Sequence, residues 1–224
     1  MTSNDIFPQR LTRIDDLTRS DHFYLDDEDV CLFIGEYTAR QGFSFSATNQ
    51  LILNFKKTMD RRGTPQWKYK GQAIRQAATA LRQSLSDENL ARLTFVPIPP
   101  SKAKTDPLYD DRLVKTLHAI RPNPPLDIRE LIVQKVSTAA VHSVEDRPSP
   151  DAIAANYEID VSLIAPPPQV ICLFDDVLTT GAHFKACEKV LRQTYPQVPI
   201  IGIFIARRAP EAVDFDPIPP DVDF

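Results

Sequence analysis

Glycine is scarce in this chain, at 6 of 224 residues, and cysteine scarcer, at 3. Cys31, Cys172 and Cys187 show no paired spacing, so the thiols read as small hydrophobes in a reducing compartment. No apolar stretch follows a basic start and no run approaches roughly 18 apolar residues, which argues against secretion and membrane spanning and makes the cytoplasm the expected location. Basic residues are outnumbered by acidic ones, 26 to 30, with a formal charge of −4 and a pI near 5.6; a surface built to hold nucleic acid by phosphate neutralisation is not expected. Neither a Gly-x-x-x-x-Gly-Lys-Ser/Thr run nor a Gly-x-Gly-x-x-Gly run occurs, which removes the triphosphatase loop and the dinucleotide fingerprint. His22 and His118 lie in ordinary polar or helical settings and receive no role.

Proline is abundant instead, with 20 residues, many in bursts at 97–100, 122–125, 166–168 and 217–220. Each burst interrupts helix and sheet and marks a segment boundary. Between them, Arg92–Pro97, Asp127–Val133, Gln169–Phe174 and Pro199–Ala206 are short, apolar and β-rich, the pattern of buried strands. Trp67–Leu85 and His183–Tyr195 repeat apolar residues at helical spacing. Strands alternating with helices predict an α/β fold with a twisted, mainly parallel sheet flanked by helices. The length suits one core with an appendage: an N-terminal accessory lobe or hood over 1–60, a core over 61–208 and an acidic proline-containing tail over 209–224. The acidic cluster Asp26–Asp29 is read as carboxylates in the first turn of a helix rather than a metal site. The segment 214–224 (DFDPIPPDVDF) is expected to be extended and is a candidate to dock in a groove.

Chemistry concentrates in Val170–Phe184, where an apolar strand reaches Asp175 and Asp176, then Thr179-Thr180-Gly181, and opens into an amphipathic helix. Beyond the carboxyl end of a parallel strand, a helix N-terminus presents unpaired N–H groups and a positive dipole end, which suits a phosphate. Thr179 and Thr180 add hydroxyls, and Gly181 permits close backbone approach. Paired acids supply acceptors for a vicinal diol. Phosphate plus diol indicates a ribose phosphate.

This run resembles the phosphoribosyl pyrophosphate signature of type I phosphoribosyltransferases. The resemblance implies a sheet of that family's type, with Asp175 and Asp176 on the ribose hydroxyls and Thr179, Thr180, Gly181, Ala182 and His183 around the 5-phosphate. His183 stands where the family usually has Thr or Ser. Phe95-Val96-Pro97-Ile98-Pro99-Pro100-Ser101-Lys102 is similar to the pyrophosphate loop of the ComF-like branch, so Ser101 and Lys102 would meet pyrophosphate, with Lys104 or Arg112 as further cations. Where that loop normally continues with Arg-Gly-Phe-Asn, Leu108–Arg112 stands instead. Residues 134–147 with Asn156 resemble the branch's mobile catalytic loop, offering Lys135, His142 and Arg147. The likeness spans 49–206; the zinc ribbon common in that branch is missing, since no Cys-x-x-Cys occurs.

The resemblance implies transfer of a phosphoribosyl group from phosphoribosyl pyrophosphate and Mg²⁺ to a nitrogen nucleophile, with release of pyrophosphate. Asp175, Asp176, Lys102 and Arg147 would form the catalytic set, and Asp175 and Asp176 the metal set. The acceptor is an unidentified base or amine. A homo-oligomer is expected, as is a protein partner through the N-terminal lobe or the tail. The competing expectation is a non-catalytic sensor of phosphoribosyl pyrophosphate or a nucleotide, acting through a protein or nucleic-acid partner.

Overall fold

The computed structural model describes residues 6–138 and 148–211. The chain begins with a short strand β1 (Thr12–Arg13), one helical turn α1 (Asp16–Arg19) and strand β2 (Val30–Thr38), then α2 (Ala47–Phe55). A long helix α3 (Lys68–Ser84) and a short α4 (Asp87–Arg92) lead into β3 (Leu93–Pro97), α5 (Arg112–Ile120) and β4 (Asp127–Ile128). There follow β5 (Ile132–Gln134), α6 (Pro150–Ala155), β6 (Tyr157–Ile159), β7 (Val170–Leu178), α7 (Ala182–Arg192) and β8 (Ile200–Ala209).

Six strands form one sheet in the order β1-β2-β8-β7-β3-β4. Only β1 runs antiparallel to its neighbour, so the α/β fold expected from the alternation is present, with a mainly parallel sheet. Residues 1–60, read as an accessory region, supply β1 and β2 to this sheet, and β2 pairs with β8 from Val30↔Ile201 to Thr38↔Ala209. A separate antiparallel ribbon, β5 with β6, lies off the sheet.

The expected strand over 127–133 is broken. Arg129 turns its guanidinium onto Asp127, with Nε and Nη2 each 2.8 Å from a carboxylate oxygen, and donates to the carbonyl of Pro166 at 2.6 Å. Those bonds end β4 after two residues and send the chain into the ribbon. Asp26–Asp29 is also not the start of a helix: these residues are turn and loop, and Asp26 and Asp29 clasp Lys185 Nζ of α7 at 3.0 and 2.9 Å.

Helices cover both faces because the strands are apolar on both. One face packs Phe95, Cys172, Phe174 and Ile203 against α2, α3 and α5; the other packs Phe33, Ile171, Leu173 and Phe204 against α7 and the ribbon. Ser46 starts α2 by accepting from Asn49 N at 3.0 Å, and Ser86 does the same for α4 from Asn89 N at 3.2 Å. Phe55, Phe95, Phe174 and Phe184 are essentially enclosed, each contributing roughly 1.5–3 kcal/mol of burial. Among the described residues no helix is long and apolar enough to cross a membrane.

Candidate functional site

Strand β7 is longer than its apolar run, extending through both acids to Leu178. Asp176 pairs with groups from α2 and α5, while Asp175 lies beside Tyr157 and Cys187 on the α7 side. Alternation along a strand sends neighbours to opposite faces, so the paired acids diverge. Val177 then packs with the Cys172–Phe174 cluster on the face of Asp176. The alternation therefore slips by one residue at the pair, and the Asp176 N–H is taken by Asp175 Oδ1 at 2.7 Å.

Asp176 is 3% exposed and neutralised from two sides. Arg112, at the start of α5, places Nε 3.0 Å and Nη2 2.7 Å from Oδ2, and Lys56, just past α2, lies 3.0 Å from Oδ1. Lys56 is held there by a second lysine. Buried Lys70 donates to the carbonyls of Phe55 and Lys57, each at 2.8 Å, and to Asp110 Oδ2 at 2.7 Å; Asp110 also binds Arg112 Nη1 at 2.8 Å. Burial opposes ionisation of Asp176, but Lys56 and Arg112 together outweigh it and hold the carboxyl well below the usual carboxylate range. Burial, reinforced by the Asp176 charge, pushes Asp175 upward.

The bend expected after the acids is present and opens into α7. Gly181 is its N-cap, with φ +83°, a dihedral that glycine alone adopts without strain. The bend is gripped from behind by residues 22–25. Tyr24 N donates to the Thr180 carbonyl at 2.8 Å, and a side chain on Gly181 would meet Leu25 Cδ2 at 2.8 Å. His22 is fully buried, and its Nδ1 contacts the Thr179 carbonyl. Burial lowers its pKa, so the ring is neutral and Nδ1 carries the proton that this contact requires. Because a trans peptide sets its C=O and N–H antiparallel, engagement of the Thr179 and Thr180 carbonyls by His22 and Tyr24 turns the N–H groups of Thr180 and Gly181 to the opposite side.

His183 follows Ala182 in that first turn and is exposed at its outer edge. Its Nδ1 lies 3.0 Å from the hydroxyl of Tyr157 on β6. Burial of the ring pushes the imidazole below its ordinary value and pushes the Tyr157 phenol up. In the tautomer in which the phenol donates to Nδ1, the ring proton sits on Nε2.

Ser101 and Lys102 follow β3 beside the end of β7, where Ile98 N bonds the Phe174 carbonyl at 2.9 Å. Gln134 Nε2 and Thr138 N fasten the Ser101 carbonyl at 2.6 and 2.8 Å. Lys102 has Asp106 as its nearest acid among the described residues, at 3.9 Å. A cleft beside this loop is lined by Pro97, Lys102, Tyr109, Glu130 and Gln134, and includes neither acid of the pair nor the Thr179–Gly181 bend. Of the other expected cations, Arg112 serves Asp176 and Lys104 lies 3.1 Å from Glu130. Lys135 Nζ bonds the carbonyl of Ala155. His142 and Arg147 lie outside the described residues.

Asp175, Asp176 and the Thr179–His183 bend thus follow one another along β7 and into α7, with the acids on opposite faces, while Ser101 and Lys102 follow the neighbouring strand β3, and Lys102 lines a cleft that holds neither the acids nor the bend. Sequence reasoning passed over Lys56, Tyr157 and His22. Lys56 ends an amphipathic run and could have been flagged as a helix-terminal cation; His22 sits in an aperiodic stretch with no pattern to mark it. No protein-family model matches this chain, and no curated protein matches it.

Proposed function

We propose that the chain binds the ribose 5-phosphate part of phosphoribosyl pyrophosphate at the Thr179–His183 bend and transfers the phosphoribosyl group to a nitrogen nucleophile, releasing pyrophosphate. The observation that carries the reading is Gly181 in its left-handed conformation, capping α7 directly beyond a parallel strand that bears two acids. The bend N–H groups and the Thr179 and Thr180 hydroxyls hold the 5-phosphate, while His183 Nε2–H takes the place of a hydroxyl donor. Asp175 is the acid left to accept from the ribose diol, because Asp176 already serves two cations. Lys102, with Ser101, meets the pyrophosphate, and Lys56 supplies positive charge between the acids and the departing anion.

Among the described residues no group of three or more metal-ligating side chains occurs. Asp175 would be the protein ligand of a Mg²⁺ that arrives with the pyrophosphate, since this ion takes few protein carboxylates alongside phosphate oxygens. Bound so, the ion would neutralise charge on the leaving pyrophosphate. The residues themselves position the sugar and the anions, and need no covalent nucleophile.

A second reading, a non-catalytic sensor, is favoured by one observation: both oxygens of Asp176 are occupied by Arg112 and Lys56. Pyrophosphate release from phosphoribosyl pyrophosphate and Mg²⁺, measured across a panel of bases and amines, separates the two. Turnover with any acceptor supports transfer; saturable binding with no turnover across the panel supports the sensor.

A further inference from the structure

A second hollow lies away from the sheet end, between α2 and α3, lined by Gln50, Asn54, Lys57, Gln66, Tyr69 and Gln76, with Phe43 at its rim. Phe43 and Tyr69 are 49% and 42% exposed and line the same hollow, so their rings are open to a ligand there. The Lys57 ammonium sits between them, 5.1 Å from the Phe43 centroid and 5.7 Å from that of Tyr69, and Lys68 lies 5.2 Å from Tyr69. Aromatic walls, amide side chains able to bond backbone groups, and two cations suit an extended, proline-bearing, acidic peptide, since aromatic-lined grooves dock polyproline II segments at low entropic cost.

The chain carries such a peptide. Residues 214–224 read Asp-Phe-Asp-Pro-Ile-Pro-Pro-Asp-Val-Asp-Phe, with a Pro-x-x-Pro spacing at Pro217 and Pro220 between aspartates. Strand β8 ends at Ala209, paired with Thr38. The Thr38 backbone is bonded by Asn49 Oδ1 and Nδ2 at 3.1 and 2.8 Å, and the next residue, Gln50, lines the hollow. Strand β8 therefore ends beside the α2 wall, and a chain of thirteen residues, 212–224, if extended, spans on the order of 40 Å.

We propose that the α2–α3 groove is a docking site for the chain's own 214–224 segment, with Pro217–Pro220 against Phe43 and Tyr69 and the flanking aspartates toward Lys57 and Lys68. This site is independent of the ligand reading above. The test uses the full chain carrying Val222→Cys labelled with a contact-range tryptophan quencher. Cys31, Cys172 and Cys187 are buried, so the label goes to the new thiol, and Trp67, the single tryptophan, stands beside groove residues Gln66 and Tyr69. Expected are quenched Trp67 emission, quenching unchanged by dilution, and recovery of emission with Phe43→Ala plus Tyr69→Ala and, separately, with Lys57→Glu. Unquenched Trp67, or quenching that survives both variants, overturns the proposal. Quenching that fades on dilution assigns the groove to the tail of a second copy and overturns the intramolecular assignment.

Discussion

Arg112 and Asp176, 64 residues apart in the chain, meet through two nitrogens on a single oxygen, Nε at 3.0 Å and Nη2 at 2.7 Å from Oδ2, while Lys56 takes the other oxygen. The acid is almost wholly buried and the guanidinium nearly so. Removing one member of such a pair strands the other's charge, at a cost of about 3–5 kcal/mol. Arg112→Gln is therefore expected to lower unfolding stability by about that amount in urea titrations. Lys56→Gln, at a side chain 44% exposed, should cost about 1 kcal/mol or less. Equal losses from the two would show that Arg112 is not the anchor.

The two acids are expected to give opposite pH signatures. Asp176 is held low in the folded chain by Lys56 and Arg112 against the pull of burial; its contribution is present above the unfolded value near 4 and fades as pH falls below it. Asp175 is pushed up to about 7 by burial and by its neighbour's charge, so it weakens the fold increasingly as pH rises from about 4 through about 7. Asp175→Asn should accordingly be more stable than the parent at pH 8, with the gap closing toward pH 4. Thermal unfolding across that range checks it; a gap independent of pH would contradict the assignment.

His22 is expected to matter more for binding than for folding. Replacement by Leu removes the Nδ1 bond to the Thr179 carbonyl and also the buried Nε2, which has no partner among the described residues. Those effects oppose one another, so the net stability change should stay within about 1.5 kcal/mol. The loosened bend should bind ribose 5-phosphate about tenfold more weakly, equivalent to about 1.4 kcal/mol. Unchanged affinity in a stable His22→Leu chain would remove the positioning role.

Much of the architecture was legible in the sequence because apolar runs and helical periodicity report burial directly. The strands around Phe95, Cys172 and Ile203 and helices α3 and α7 follow from that pattern. β2 was not recognised, since Val30–Thr38 adjoins an acidic stretch and passes through Gly35 and Glu36. The break after Ile128 depends on Arg129 reaching carbonyls at 163 and 166, contacts that no local pattern encodes. In the site, the glycine bend before a helix is a local signal and was read correctly as a turn into α7. The divergence of Asp175 and Asp176, and the capture of Asp176 by Lys56 and Arg112, are set by the faces those residues occupy in the sheet. Adjacent acids in a sequence look equivalent; a pleated strand makes them different.

The central claim, that the Gly181 bend cradles a sugar phosphate, is tested most directly by calorimetric titration of phosphoribosyl pyrophosphate with Mg²⁺ into the full chain and into Gly181→Ala. The substitution forces a side chain onto a φ of +83° and against Leu25, costing roughly 1–2 kcal/mol and displacing the N–H groups that meet the anion. The account predicts saturable binding by the parent, competition by ribose 5-phosphate, and loss of both in a folded Gly181→Ala chain. Absence of binding by the parent, or equal affinity in the variant, would contradict it.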